Sequence, residues 1–268
     1  MAMTIYKDIF VAILDDDPFA LNWMGLLIVR DWRTRLIGEF QTSASLLNFL
    51  ENSDQQIDVL ILDNDLVQGF MEITENFQQL FKKTPTTKVI IANKKTSGKS
   101  INTYDKYKKF NGYINKNDIG YSLNWAVVFV HEGYRVFTPS TEKLFNLENS
   151  ASEKKNLVID GRGNITGLTP HEANIARMAF IYSLGRRDIA DEIKVSEQWS
   201  YSIVSEIYKK IGLTDILNGD WDHFEFFNDN KIIKNHLINI TKQLGRSHKA
   251  KDMEMLAYHL ITIPEIIH

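Results

Sequence analysis

The sequence predicts two halves of different class: an α/β doubly wound, five-stranded parallel sheet, then an all-α half that runs to the end of the chain. Three observations carry this. Between residues 9 and 131 short apolar runs alternate with longer amphipathic ones; from Ser140 to Lys155 the chain turns polar and charged; from Leu168 onward apolar residues recur at helical spacing. With 44% hydrophobic and 24% charged residues, the 268-residue chain has enough apolar material for one large domain or two smaller ones.

The first strand spans Phe10 to Leu14, an unbroken apolar run of strand length that stops at Asp15-Asp16-Asp17-Pro18. Further strands are expected at Leu36 to Phe40, Val59 to Leu62, Val89 to Ala92 and Gly112 to Ile114. Helices are expected at Pro18 to Val29, Ser43 to Leu50, Ile73 to Phe81, Tyr104 to Phe110 and Tyr121 to His131. Five βα units predict helices on both faces of the sheet and a ligand site beyond the carboxyl ends of the strands. The polar stretch after Pro139 reads as a linker, residues 139–167, holding a short hairpin around Asp160-Gly161.

Three of those strand ends carry charge. Asp15 and Asp16 follow the first strand, Asp63 ends Asp58-Val-Leu-Ile-Leu-Asp63, and Lys116 ends Gly112-Tyr113-Ile-Asn-Lys116. Clustered carboxylates repel, and a hard divalent cation such as Mg²⁺ relieves them through oxygen ligands. Asp15, Asp16 and Asp63 are therefore the candidate metal ligands, and Lys116 a charge for an incoming phosphoryl oxygen. Asp63 is the candidate nucleophile: a carboxylate attacking phosphorus forms an acyl phosphate, with the metal and the lysine neutralising the developing charge. Taken singly, each aspartate at a strand end is better read as a helix cap or turn residue.

Together these residues resemble the receiver domain of bacterial two-component response regulators, a flavodoxin-like fold, over about residues 8–135. The resemblance implies that Asp15 and Asp16 hold Mg²⁺, that Asp63 takes a phosphoryl group from a sensor histidine kinase, and that Lys116 contacts the phosphate. Tyr113, three residues before Lys116, matches the aromatic switch position. The departures are specific. Ala92 stands where the family carries the Ser or Thr hydroxyl that closes on the phosphoryl oxygen, and Asp65 adds a carboxylate where a Met-Pro pair is usual. Phosphorylation of Asp63 with weakened or altered coupling to Tyr113 is the expectation.

Two other motifs compete for these segments. Asp63-Asn-Asp65 resembles the first motif of haloacid-dehalogenase-type phosphatases, which normally ends the first strand of its sheet rather than the third. Ser97-Gly98-Lys99-Ser100 resembles the end of a P-loop, but Asn93 stands where the loop's first glycine is required.

In the second half, Thr169-Pro170-His171-Glu172 has the pattern of a capping box with proline at the first helical position. A helix to about Tyr182, a short helix from Arg186 to Ile193, a turn at Val195-Ser196 and a longer helix from Glu197 to Ile211 give helix-turn-helix spacing. Residues 168–217 resemble the DNA-binding domain of LuxR/FixJ-type response regulators, through Leu168-Thr-Pro-His-Glu172, Asp188-Ile-Ala190, Val195-Ser-Glu197 and Ile207-Tyr-Lys-Lys-Ile-Gly-Leu213. The resemblance puts Glu197, Gln198, Trp199, Ser200, Tyr201, Ser202 and Ser205 toward the major groove, with Gln198, Tyr201 and Ser202 able to read bases and Trp199 suited to a thymine methyl or a protein surface. None of the seven is basic, and six Lys and Arg stand against seven Asp and Glu over 168–217. Arg186, Arg187, Lys209 and Lys210 are the candidate phosphate contacts.

Residues 218–268 exceed the family pattern. They comprise an acidic, aromatic segment from Asp220 to Asp229, where Asp222 and His223 make a two-ligand metal pattern, and amphipathic helices at Ile232 to Leu244 and Met253 to Ile261. A docking segment that competes with phosphates for the helix-turn-helix is one expectation for it. The four parts are thus 1–138, 139–167, 168–217 and 218–268.

The absence of cysteine excludes disulfides, thiolate zinc sites and cysteine nucleophiles. The N-terminus lacks signal-peptide order and no apolar run is long enough to span a membrane, so the expected location is cytoplasmic with no membrane partner. A net charge of -3 supplies no global pull toward nucleic acid. The combined expectation is a response-regulator transcription factor rather than an enzyme, with DNA, a sensor histidine kinase and a second copy of itself as partners. A protein-interaction regulator whose helix-turn-helix leaves DNA alone is the second reading, and a phosphatase the third.

Overall fold

A computed structural model of the chain describes residues 8–63, 66, 85–94, 110–145, 155–163, 165, 167–221, 230–245 and 248–267. The expected helices at 73–81 and 104–109, Asp65, the 97–100 loop and the Asp222/His223 pattern lie outside these residues.

The described residues fall into a sheet unit (8–29, 33–162 and 264–267) and a helical unit (163–263 with Arg30–Trp32). In the sheet unit, β1 (Ile9–Leu14), β2 (Thr34–Phe40), β3 (Val59–Asp63), β4 (Lys88–Asn93) and β5 (Phe110–Asn115) are parallel, as expected, and lie in the order β2-β1-β3-β4-β5. The central strands are apolar along their whole length because both faces are covered, and Val11 to Leu14 and Val59 to Leu62 are all buried. Helix α1 (Pro18–Arg30) opens with Asp17, whose carboxylate accepts from Phe19 N at 2.9 Å. Thr42 caps α2 (Ser43–Asn52) by accepting from Ser45 N. After β5 come a single turn, α3 (Lys116–Ile119), and the buried α4 (Leu123–His131).

The sheet does not end at β5. Among the described residues it has eight strands in the order β2-β1-β3-β4-β5-β6-β7-β8, where β6 (Arg135–Phe137) and β7 (Asn156–Asp160) continue the parallel series and β8 (Glu265–Ile267) pairs antiparallel with β7. The expectation of five strands is thus corrected to eight. So is the hairpin at Asp160-Gly161: β7 pairs with the chain's last strand, through Val158 to Ile267 and Asp160 to Glu265, not with the residues just after it. Strands of three residues such as β6 and β8 carry no readable alternation, which is why the sequence conceals them. Part of the expected linker is also regular structure, as α5 (Pro139–Phe145) follows β6.

In the helical unit, α6 (Pro170–Ala176) runs on into a π-helical turn at Arg177–Ile181. Its capping box is complete: Thr169 N donates to Glu172 Oε2 at 2.9 Å and Glu172 N to Thr169 Oγ1 at 3.3 Å. Helices α7 (Arg186–Ile193), α8 (Glu197–Lys210) and α9 (Leu213–Asn218) follow, with Lys194 left-handed at the C-cap of α7 and Ser196 capping α8. Ile175, Phe180, Ile189, Val204, Ile207 and Leu213 form their core. The extension supplies α10 (Lys231–Gln243) and α11 (Ala250–Ile261), whose apolar faces are buried at Ile233, Leu237, Ile240, Leu256 and Tyr258. No helix among the described residues is long and apolar enough to cross a membrane.

Candidate functional site

The three charged strand ends meet. The Lys116 ammonium donates to Asp15 Oδ2 at 2.6 Å and to Asp63 Oδ2 at 2.5 Å, so one cation is shared by two carboxylates at the carboxyl edge of the parallel sheet. Asp15 is fully buried and Asp63 is 6% exposed. Each has a second anchor: Asp15 Oδ1 accepts from Asp17 N at 3.0 Å, and Asp63 Oδ1 from Leu66 N at 3.4 Å. Burial pushes the Asp15 carboxyl above its ordinary range, outweighing the hydrogen bond and charge of Lys116 that pull it down. Burial by itself would depress the Lys116 ammonium, but its bonds to Asp15 and Asp63 and their charges raise it overall. Among the described residues the pocket is therefore a buried site in which one ammonium meets two carboxylates.

Asp16 is exposed, and no three His, Cys, Asp or Glu side chains among the described residues gather as a metal site. The donor set that does gather, two carboxylate oxygens held by one ammonium, suits a Mg²⁺ ion that keeps most of its waters, for which one or two carboxylates suffice.

Ala92 is buried at the end of β4, directly beside Asp63 in the β3/β4 register. Its methyl group offers no hydrogen bond to anything bound there. Tyr113 is buried and stacked on Phe137 of β6, with ring centroids 5.9 Å apart and planes 10° apart. The added strand thus covers the aromatic position that the sequence identified as a switch. The backbone around it is bolted down as well: Thr141 Oγ1 donates to the Tyr113 carbonyl at 2.6 Å, and Asn115 N donates to Thr138 Oγ1 at 2.9 Å.

A group that sequence reasoning missed lies two residues beyond Lys116. Asp118, almost fully buried, accepts from Ser140 N at the start of α5 (2.8 Å) and forms an ion pair with Arg162 Nη1 (3.1 Å), while its carbonyl accepts from Gly161 N (2.8 Å). Arg162 also grips Asp160 with Nε and Nη2, at 3.0 and 2.6 Å. That hydrogen-bonded guanidinium holds the Asp160 carboxyl below its usual value. The sequence trace of this cluster is the triplet Asp160-Gly-Arg162, whose local pattern is that of a turn.

In the helical unit, α8 presents Gln198, Trp199, Tyr201, Ser202 and Ser205 to solvent, with Trp199 38% and Tyr201 54% exposed. Ser200 is a correction: it is buried and donates 2.7 Å hydrogen bonds to the carbonyls of Arg186 and Glu197, so it pins α8 to α7 and reads nothing. Three of the four basic candidates are already paired. Arg186 Nη2 lies 3.1 Å from Glu254 of α11, Lys210 Nζ 2.6 Å from Glu172, and Lys209 Nζ 3.3 Å from Glu206; Arg187 is exposed. Burial, then the Glu254 carboxylate, push the neighbouring Tyr208 phenol up to about 12.

No family model matches this sequence, and no curated protein matches it. Solved structures of low similarity exist. One is the response regulator RcsB of Salmonella typhimurium, 18% identical, covering 77% of this chain and 93% of that one with a TM-score of 0.43. Another is an RcsB–DNA complex, 20% identical over 76% of this chain and 92% of that one, TM-score 0.44. A third is the isolated REC domain of RcsB from Salmonella enterica serovar Typhimurium in the presence of the phosphomimetic BeF3-, 19% identical over 52% of this chain and 99% of that one, TM-score 0.40. The chain is similar to these response regulators, at low identity and low superposition.

Proposed function

We propose that the chain is a response-regulator transcription factor whose sheet unit accepts a phosphoryl group on Asp63 and whose helical unit acts on DNA. The observation that carries this is the shared ammonium: Lys116 joins Asp15 and Asp63 inside a buried, carboxylate-rich pocket at the ligand edge of a parallel sheet. A carboxylate in that position attacks phosphorus, and the bond to the leaving nitrogen of a phosphohistidine on a sensor kinase breaks as the acyl phosphate forms. Lys116 lies where charge builds on the transferred group. Mg²⁺ would be held by Asp15 and Asp63, with Asp16 exposed, and when bound would supply positive charge to the phosphoryl oxygens. Incubation with phosphoramidate or acetyl phosphate should shift wild type on a phosphoprotein gel and leave Asp63→Ala unmoved; labelling of both would reject Asp63 as the acceptor.

DNA would be met by the exposed face of α8, with Arg187 and, once freed, Arg186, Lys209 and Lys210 on phosphates. A dimer would present two such helices to two half-sites. A second reading has the helical unit bind protein instead of DNA, and the carboxylate partners of Arg186, Lys209 and Lys210 favour it. Selection from genomic DNA at two salt concentrations separates them, because a phosphate-driven complex weakens steeply as salt rises.

A further inference from the structure

Among the described residues, the groups beside the pocket at β4 and β5 offer little to report what it holds, yet the turn after β5 joins it to the end of β7. Ala92 has no hydroxyl to move, and Tyr113 is buried beneath the added strand and tied through its carbonyl to Thr141. What remains connected to Lys116 is the turn that begins with it. Asn117 N donates to Asn115 Oδ1 at 2.8 Å, and Asp118 then reaches Ser140, Arg162 and the Gly161 amide. Contact between this turn and the end of β7 is so close that a Cβ on Gly161 would lie 1.7 Å from the Ile119 carbonyl oxygen. A Cβ on Gly120, where φ is +48°, would lie 2.2 Å from the Gly161 carbonyl oxygen.

Beyond Arg162 the chain enters the helical unit, and after Ile263 it comes back as β8, hydrogen-bonded to β7 with Asp160 opposite Glu265. Both of these passages are therefore anchored beside the Asp118–Arg162 pair. We propose that the α3 turn is the output lever of the acidic pocket: a change in what Lys116 binds displaces residues 116–120, and Asp118 passes that displacement through Arg162 and Gly161 to the β7/β8 ladder. Because Asp63 is read as the phosphoryl acceptor, its phosphorylation is the natural trigger. The lever itself depends only on a change in the bonding of Lys116. In this arrangement Asp118, Arg162 and Gly161 do the work that a mobile β4 hydroxyl and a swinging aromatic would otherwise do.

Hydrogen–deuterium exchange on the full chain tests this, comparing peptides that cover 116–122 and 156–163. Two triggers are applied, BeF3- with Mg²⁺, and the substitution Asp63→Asn, which removes one of the two charges on Lys116. Each is measured in wild type and in Arg162→Gln, a change at a side chain 52% exposed that should fold normally. With Arg162 present, exchange in both peptides should change together. With Arg162→Gln, the 116–122 response should persist while that of 156–163 falls severalfold. Equal responses at 156–163 with and without Arg162 would overturn the lever. If calorimetry detects no binding of BeF3- with Mg²⁺, the phosphoryl reading is what fails, and Asp63→Asn still decides the lever.

Discussion

The two halves of this chain treat charge in opposite ways. In the sheet unit, among the described residues, two buried carboxylates share one ammonium. In the helical unit, Arg186, Lys209 and Lys210 each have a carboxylate of their own, so the pairs are balanced and partly solvated. An unbalanced buried cluster is costly and is relieved by a ligand, whereas balanced surface pairs ask for nothing and must be broken before a ligand can use them. On the proposed function, the pocket would take a ligand readily, whereas Arg186, Lys209 and Lys210 would first have to leave their carboxylates.

The largest effect should come from removing the shared cation. Lys116→Met removes the ammonium that Asp15 and Asp63 share and should cost about 3 to 5 kcal/mol in urea unfolding, with loss of phosphoryl labelling. A cost under about 1 kcal/mol would erase the contrast between the halves. Next comes the capping box: Thr169→Ala should destabilise the helical unit by about 1 kcal/mol in the same measurement.

A smaller change concerns restraint. Glu254→Gln should release Arg186, raise DNA affinity about fivefold at low salt and steepen the salt dependence by about one ion. If neither quantity moves although DNA is bound, the Arg186 pair restrains nothing. The smallest is a pH effect. The Lys210 ammonium, with the Thr169 amide, holds the Glu172 carboxyl down to about 2, against an ordinary value of 4.5. A depressed carboxyl stabilises fully above its unfolded value and loses that contribution as pH falls through the folded one. Melting temperatures of wild type and Glu172→Gln should therefore differ above pH 4.5 and converge toward pH 2.

The acidic pocket was legible because each member ends an apolar run, and in a parallel sheet the ends of such runs share one edge. The capping box was legible for a similar reason, as its two residues lie three apart. Ser200 was misread because a serine on a polar helix looks the same whether it faces groove or core. The Arg186–Glu254 pair was invisible because its members are 68 residues apart and either side chain alone resembles a solvated charge. Asp118 was hidden likewise: nothing local distinguishes a buried aspartate awaiting Arg162 from one in an exposed turn.

By itself, then, the sequence determined the two classes of structure, the five parallel strands with charge at the ends of three of them, and the helix-turn-helix spacing. All of these follow from local periodicity and from rules that tie strand ends together. Only the tertiary structure decided that the sheet continues through β6, β7 and β8, that Tyr113 is covered by Phe137, and that the basic residues of the helical unit are paired. Those depend on which distant residues meet, and short strands and single charges carry no periodic signal of their partners.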